Sequence, residues 1–404
     1  MKSSDVVVIG AGPAGVMAAI GAAQRGKNVL ILEKNAEIGK KLKITGGGRC
    51  NITNNRDIGD FFEHIVVNSK FLFSALYSFT NTQLIDFFEE RGILFSVEDD
   101  MKVYTQSGKA QEIIDVLMRE LENDKVDIVF NANAVELLLE KGAVVGVRTS
   151  DGCEYSAQSV IVATGGKSYP ATGSDGQFLS CMESAGHLLK EPLSALVPLV
   201  LGETWTSRLQ GGSLKNVRIR AYSGSRLAAE ESGDMIFTHF GISGPAALNI
   251  SSRINRLLQK KTVRLELDLL PGMDEAELSR EIRKNPNKSI ANNIKEVIPQ
   301  SFARCLLEYL DVEEHPNTLT KQRELEIIKS IKNLTLTCTS TFSMESAIVT
   351  SGGVDVSNID PHTMESKIIK GLYLAGEIID VDALTGGYNL QIAFSTGYIA
   401  GINA

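Results

Sequence analysis

Asp5-Val6-Val7-Val8-Ile9-Gly10-Ala11-Gly12-Pro13-Ala14-Gly15, answered downstream by Val29-Leu30-Ile31-Leu32-Glu33-Lys34, decides the reading of this chain. An apolar run enters Gly10-x-Gly12-x-x-Gly15. An Ala-rich helical pattern follows, Gly26 stops it, and a second apolar run ends in an acid. That order is the β-turn-α-β unit that takes the ADP half of a dinucleotide. Gly10 permits the tight turn, Gly12 lets the backbone approach a pyrophosphate, and Gly15 lets the helix sit close on the strand. Pro13 and Ala14 open a helix whose N-terminal N–H groups and positive dipole end face phosphate. Glu33 stands where a carboxylate accepts from ribose hydroxyls, with Lys34 beside it.

The chain has 404 residues, enough for two or three domains. It is 43% hydrophobic and 22% charged, the composition of a globular protein with a sizeable core. A net charge of -8 and a pI near 5.4 argue against a nucleic-acid footprint over the whole chain. The apolar stretch after Pro13 is Gly/Ala-rich and embedded in the nucleotide motif, so it is not read as a secretion signal. No run reaches the ~18 apolar residues of a membrane span. Cys50, Cys153, Cys181, Cys305 and Cys338 are odd in number and contain no CxxC pair, which points to a reducing, cytoplasmic setting with no metal site.

Residues 39–54 contain Thr45-Gly46-Gly47-Gly48-Arg49-Cys50-Asn51, which suits neither helix nor strand and reads as a loop wrapped round the cofactor. Lys40, Lys41 and Arg49 are placed to offset pyrophosphate charge. Phe61, Phe62, Ile65, Phe71, Leu72, Ala75 and Leu76 have helical spacing and read as core. Strands are expected at 126–130 and 134–138, with a hairpin into 144–147. Ser159-Val160-Ile161-Val162-Ala163-Thr164-Gly165-Gly166 is a buried strand whose small residues pass close beneath a nucleotide. Period-two runs from 193 to 270 predict an antiparallel β insertion. Residues 274–333 turn helical, with one long helix from Ile290 to Leu310 broken at Pro299. Gly-punctuated sheet texture returns from Ala347, ending in Gly376-Glu377 and Gly386-Gly387-Tyr388-Asn389-Leu390-Gln391 before a small-residue helix.

The fold class is therefore α/β: a discontinuous Rossmann-like domain over 1–190 and 345–404, an inserted antiparallel β subdomain over 191–272 and 334–344, and a small helical subdomain over 273–333. A nicotinamide cofactor needs a second βαβ half, and there is only one GxGxxG. FAD fits better: ADP on the first unit, the flavin ring supported by distant strand ends at 163–166 and 376–377. The N–H groups at Asn389 and Leu390 would then face the flavin edge that gains negative charge on reduction.

Gly-Lys-Lys-x-x-x-Thr-Gly-Gly-Gly-Arg-Cys-Asn-x-Thr-Asn at 39–54, Ala-Thr-Gly-Gly-x-Ser-Tyr-Pro at 163–170, Phe-Thr-His-Phe-Gly-Ile-Ser-Gly-Pro at 237–245 and Val-Thr-Ser-Gly-Gly-Val at 349–354 resemble the BaiN-like family of bacterial FAD-dependent oxidoreductases, which includes aminoacetone oxidases. The resemblance covers essentially the whole chain. It implies FAD contacts at Gly10, Gly12, Pro13, Ala14, Gly15, Glu33, Lys34, Lys41, Gly47, Gly48, Arg49, Cys50, Val135, Ala163, Thr164, Gly165, Gly376, Glu377, Gly387, Asn389, Leu390 and Gln391. Val135 belongs to the strand expected beside the adenine.

Catalytic candidates are His239 in the FTHFGISGP turn, Cys50 in the glycine loop and Tyr388, with Tyr169 as a further polar group. Three activities follow as expectations. The first is an NAD(P)H-linked reductase of a small organic substrate, the nicotinamide acting transiently. The second is an O₂-using oxidase of a small amine or aminoketone. The third, from another class, is a flavin-bound sensor or nucleic-acid-binding protein using Lys288 and Lys295, against which the acidic pI counts.

Overall fold

The structure, a computed structural model, describes residues 2–312 and 315–404. Contacts divide the chain into residues 1–193 with 344–404, and residues 194–343.

The first unit is built on β1 (Lys2–Ile9), β2 (Val29–Glu33), β3 (Asp127–Phe130), β4 (Ala134–Glu140), β5 (Ala143–Thr149) and β6 (Glu154–Val162). Their order across the sheet is β3-β2-β1-β6-β5-β4. The β3, β2, β1 and β6 pairings are parallel, and β5 and β4 return antiparallel. Val6, Val7 and Val8 are fully buried, because parallel strands are covered on both faces. Two further strands, β7 (Leu189–Ala195) and β8 (Val349–Val354), pair with each other. Finally β9 (Leu372–Leu374) runs parallel to β6.

Helix α1 (Pro13–Gln24) follows β1, α2 (Lys40–Ile44) precedes the glycine loop, and α3 (Tyr388–Asn403) lies on α1. The pair touches backbone to backbone. A Cβ at Gly397 would come within 2.2 Å of Ala14 O, and one at Gly401 within 2.1 Å of Ala18 O. Only glycine allows that approach. It explains why α3 is small-residue rich and buried nearly all round.

In the second unit the antiparallel insertion closes into a barrel. Its strands run Leu199–Leu201, Gly241–Ser243, Arg226–Phe237, Ser213–Ser223, Val263–Asp268 and Leu334–Thr341 round the ring. The helix Pro245–Leu258 packs on these strands with Ala246, Ala247, Ile250 and Ile254 buried. Helices Glu275–Arg283, Ile290–Asn293, Gln300–Tyr309 and Lys321–Lys332 share the same apolar core. Glu324, with a side chain 1% exposed, is held by Arg283 at 2.7 Å.

Two local expectations change. The 290–310 stretch is two separate helices: residues 294–299 leave helical form, and Pro299 caps the second, as its missing N–H dictates. Ile65 is not helical. Ile65–Val67 is a strand paired with Asp382–Ala383, so a long-range ladder overrides the local spacing.

Candidate functional site

The fingerprint turn is set by close backbone approach. Gly10 has φ +98° and its absent Cβ would meet Ala163 O at 2.7 Å; Gly15 lies against Gly10 O in the same way, at 1.9 Å. Gly12 differs. A Cβ there meets nothing within 4 Å, and Gly12 caps α1 without any side-chain acceptor. The first-turn N–H groups of α1 thus face open space next to a glycine, a cradle for an anion. Gly47 and Gly48 also face open space, in left-handed backbone at φ +68° and +90°.

Glu33 is buried and accepts from Ala11 N–H, Asn35 N–H and Asn35 Nδ2, each at 2.7 Å. A carboxylate has about four acceptor positions, so the three bonds orient it and leave one free. The start of β4 comes to the same place. Ala132 N–H donates to Glu33 O at 2.9 Å and Asn131 N–H to Asn35 O at 3.1 Å, which sets Val135 just beyond this strand end. Ala163 N–H donates to Ile9 O at 2.9 Å, carrying Thr164 and Gly165 past the fingerprint. Ser174 Oγ is buried beneath Gly165 without a partner, and Asn51 Oδ1 is likewise buried and unpartnered in the glycine loop.

The far end of the chain arrives at the loop. The carbonyl of Thr53 lies where a Cβ of Gly387 would be, at 2.3 Å. Asn54 Nδ2 donates to Gly386 O at 3.0 Å, and the Thr53 hydroxyl to Gln391 Oε1 at 2.6 Å. Hence 45–54 and 386–391 form one wall. A ladder of side-chain bonds aims the first turn of α3. Asn389 Oδ1 accepts from Ala383 N–H at 3.0 Å and its Nδ2 donates to Ala383 O at 2.7 Å.

Several expected ligands are engaged otherwise. Gln391 is fully buried, and its Nε2 donates to Phe79 O and Ser395 Oγ, both at 3.0 Å. With Asn389 likewise held by Ala383, these two side chains brace the helix, and Gln391 N–H is itself spent on Gly387 O at 3.1 Å. Arg49 pairs with Glu98 and lies 4.1 Å over the Tyr104 ring. Lys34 pairs with Asp175 at 2.7 Å. Lys41 Nζ donates to Glu377 Oε2 and to Ser168 Oγ, each at 2.7 Å. The Ser168 hydroxyl and Thr350 N–H donate to Glu377 Oε1 at 3.0 and 2.7 Å. Burial alone pushes the Glu377 carboxyl up, but the Lys41 ammonium and these donors outweigh it and hold it below its ordinary range. Ser168, Thr350, Ser174 and Asn35 were not singled out from the sequence. Ser168 and Thr350 stand inside the glycine-rich motifs, and a polar residue at such a strand end was the available signal.

The catalytic candidates separate. Cys50 is fully buried and burial pushes its thiol up to about 12, the environment of a packing cysteine. Tyr388 is buried, with its ring against His64 at 4.5 Å and Phe61 at 4.9 Å. Burial raises the Tyr388 hydroxyl while Arg56 opposes it, and the phenol remains protonated near neutrality. His239 belongs to the other unit, exposed on the turn before Gly241–Ser243, with Phe240 edge-on at 4.9 Å. Among the described residues no cluster of His, Cys, Asp and Glu could hold a metal, and no helix is long and apolar enough to cross a membrane.

The residues present fit FAD. An open glycine cradle stands at a helix N-terminus, an oriented carboxylate follows at the end of β2, and buried orphan acceptors line the glycine loop and strand end.

A family model described as the HI0933-like protein Rossmann domain matches residues 4–403. The chain is 33% identical to a 3-dehydro-bile acid delta(4,6)-reductase of Clostridium scindens, covering 98% of this chain and 97% of that protein. It is 30% identical to a ribosomal RNA dihydrouridine synthase of Haemophilus influenzae, over 99% and 98%. Among solved structures it is similar to a flavocytochrome c3 fumarate reductase, with TM-score 0.54 and 16% identity over 100% of this chain and 78% of that one. It is similar at the same TM-score and identity to the 3-ketosteroid-delta4-(5alpha)-dehydrogenase of Rhodococcus jostii, over 100% and 96%. These likenesses are of fold. The chain belongs to the HI0933-like family and is an FAD-dependent oxidoreductase.

Proposed function

We propose that this FAD-dependent oxidoreductase is a reductase that saturates a carbon–carbon double bond conjugated to a carbonyl in a small organic substrate. Reduced nicotinamide is the electron donor in this reading. The observation that carries it is the end-to-end match, at 33% identity, to a reductase of steroid-nucleus double bonds. The dihydrouridine synthase name describes the same bond change on another ring, hydrogen added across an activated C=C. FAD, when bound, supplies the two-electron chemistry.

The protein's part is placement. Backbone N–H groups of α1 and the Glu33 carboxylate would bind the ADP end. Gly47 and Gly48, whose missing side chains face open space, would leave room for the chain between ADP and ring. Helix α3, held by the Asn389 and Gln391 bonds, would offer its N-terminal end and positive dipole to the ring edge that gains charge. Tyr388, kept neutral by burial, is a hydroxyl donor beside that helix start, and His239 is the candidate in the barrel unit.

The test is an anaerobic flavin spectrum. Rapid bleaching by NADH or NADPH, followed by reoxidation with an α,β-unsaturated ketone, supports the reading. Bleaching by a small amine, with peroxide on admitting air, replaces it with the oxidase reading. A colourless protein that takes up no FAD contradicts both.

A second reading, reduction of uridine in RNA, has one observation of its own. Residues 194–343 hold 20 Lys and Arg against 17 Asp and Glu, and the rest of the chain 21 against 32. The acidic balance that argued against nucleic acid thus lies outside the barrel unit. Salt-dependent binding of ribosomal RNA, lost on neutralising basic residues of 194–343, would favour it.

A further inference from the structure

Four segments far apart in the chain meet at one carboxylate. Lys41 comes from α2 just before the glycine loop, Ser168 from the turn after β6, Thr350 from β8, and Glu377 from the turn after β9. The contacts are short: Lys41 to Glu377 and to Ser168 at 2.7 Å, Ser168 to Glu377 at 3.0 Å, and Thr350 N–H to Glu377 at 2.7 Å. Thr350 Oγ1 completes the knot by accepting from Lys167 N–H at 2.8 Å and Ser168 N–H at 3.0 Å. Gly166 makes room for it: a Cβ there would lie 2.5 Å from Thr350 Oγ1 and 3.2 Å from the Glu377 carboxyl carbon. On the other side Gly376 rests on Ala14 at the start of α1, where a Cβ would come within 2.8 Å.

Both charges are drawn out of water, with side chains 24% and 20% exposed, and each already has its partner. All three Glu377 donors are protein groups. We propose that Lys41 and Glu377 are positioning residues rather than cofactor ligands. They form a neutral strut that ties the glycine loop 45–48 to the end of β6 and to the start of α1, so that the cofactor cradle exists before FAD arrives. The inference rests on the FAD reading of this site. Breaking either end of the strut strands the other charge, whereas removing both removes the need for compensation.

The experiment is a double-mutant cycle on FAD affinity, read by flavin fluorescence on the reconstituted full chain. Lys41→Met and Glu377→Gln are each expected to raise the FAD Kd about tenfold. The double variant should be no weaker than either single. Effects that multiply to about a hundredfold would mean that Lys41 or Glu377 binds FAD independently, and would overturn the proposal.

Limited proteolysis of the FAD-free protein gives a second readout. Cleavage within 45–50 should accelerate in both single variants and also in Ser168→Ala, which changes no charge and serves if a charged variant fails to fold. Unchanged cleavage would also overturn the strut. A wild-type chain that takes up no FAD would refute the cofactor reading, and the proteolysis result would still decide whether the strut holds the loop.

Discussion

Gly397→Ala adds one methyl where α3 crosses α1. The new carbon would lie 2.2 Å from Ala14 O, 2.9 Å from Ala14 C and 3.0 Å from its Cα. These are backbone atoms of a buried helix, so no rotamer change relieves the contact. The helices must separate by about 1 Å, in a close-packed interior that transmits such a shift. Overpacking of this kind costs about 1–3 kcal/mol. Alanine regains about 1 kcal/mol of helix propensity over glycine. The backbone contact places the clash at the upper end, for a net loss of about 2 kcal/mol. Ala14 also sits in the fingerprint turn, so the displacement reaches the cofactor cradle.

Urea unfolding followed by FAD release reports this unit. The midpoint should fall, and the variant should retain less FAD at equal total flavin. Gly21→Ala is the comparison, since its Cβ meets Tyr398 O at a milder 3.3 Å and should stay within about 0.5 kcal/mol of wild type. A Gly397→Ala protein as stable as wild type, with full FAD retention, would refute the account of this helix pair.

Gly12→Leu should fold with little loss of stability, because the side chain enters open space, yet weaken FAD binding at least about tenfold, ~1.4 kcal/mol; unchanged flavin content would remove Gly12 from the pyrophosphate site. Gly15→Ala, by contrast, drives a carbon to 1.9 Å from Gly10 O and should reduce soluble yield outright. Thiol alkylation at pH 8 followed by peptide mapping should modify exposed Cys153 in the folded protein, slowed by the Asp151 carboxylate that raises its thiol, and leave Cys50, its thiol raised to about 12, unmodified until unfolding. Asp355 is lowered to about 2, chiefly by its bond to Lys190 at 2.9 Å. A folded-state value below the unfolded one stabilises above the ordinary carboxylate range, and the gain is lost as pH falls towards 2. Asp355→Asn should therefore destabilise by about 1 kcal/mol at neutral pH, after discount for the half-exposed lysine, and by nothing at the acid limit; a pH-independent loss would contradict the pairing.

The βαβ fingerprint was legible because each glycine's requirement is local: a turn, an open approach, a helix packed on its own strand. The parallel core was legible for a similar reason, since strands covered on both faces read as unbroken apolar runs. Closure of the insertion into a barrel was not legible, because alternation marks antiparallel strands but not the register that joins the first to the last. At the site, the sequence motifs lie in the segments that meet, and several of their side chains are engaged with protein groups. Lys41, Glu377, Asn389 and Gln391 all lie in the motifs that meet there, yet their polar atoms are engaged with protein groups 336, 6 and 338 residues away. The Lys41–Glu377 and Gln391–Thr53 partners are fixed by long-range packing, and the Asn389–Ala383 pair by the local turn into α3. A motif can place a residue near a ligand without deciding which way its side chain turns.

The α1–α3 contact also orders events in biosynthesis. About 360 residues of chain separate Gln24 from Tyr388. At ~5–20 residues per second the fingerprint helix is therefore made tens of seconds before the helix that covers it. The barrel unit, contiguous from 194 to 343, emerges in between and can close upon itself while the first unit still lacks α3, β8 and β9. A nascent chain arrested after the barrel would carry a finished insertion on a nucleotide domain that still lacks α3, β8 and β9.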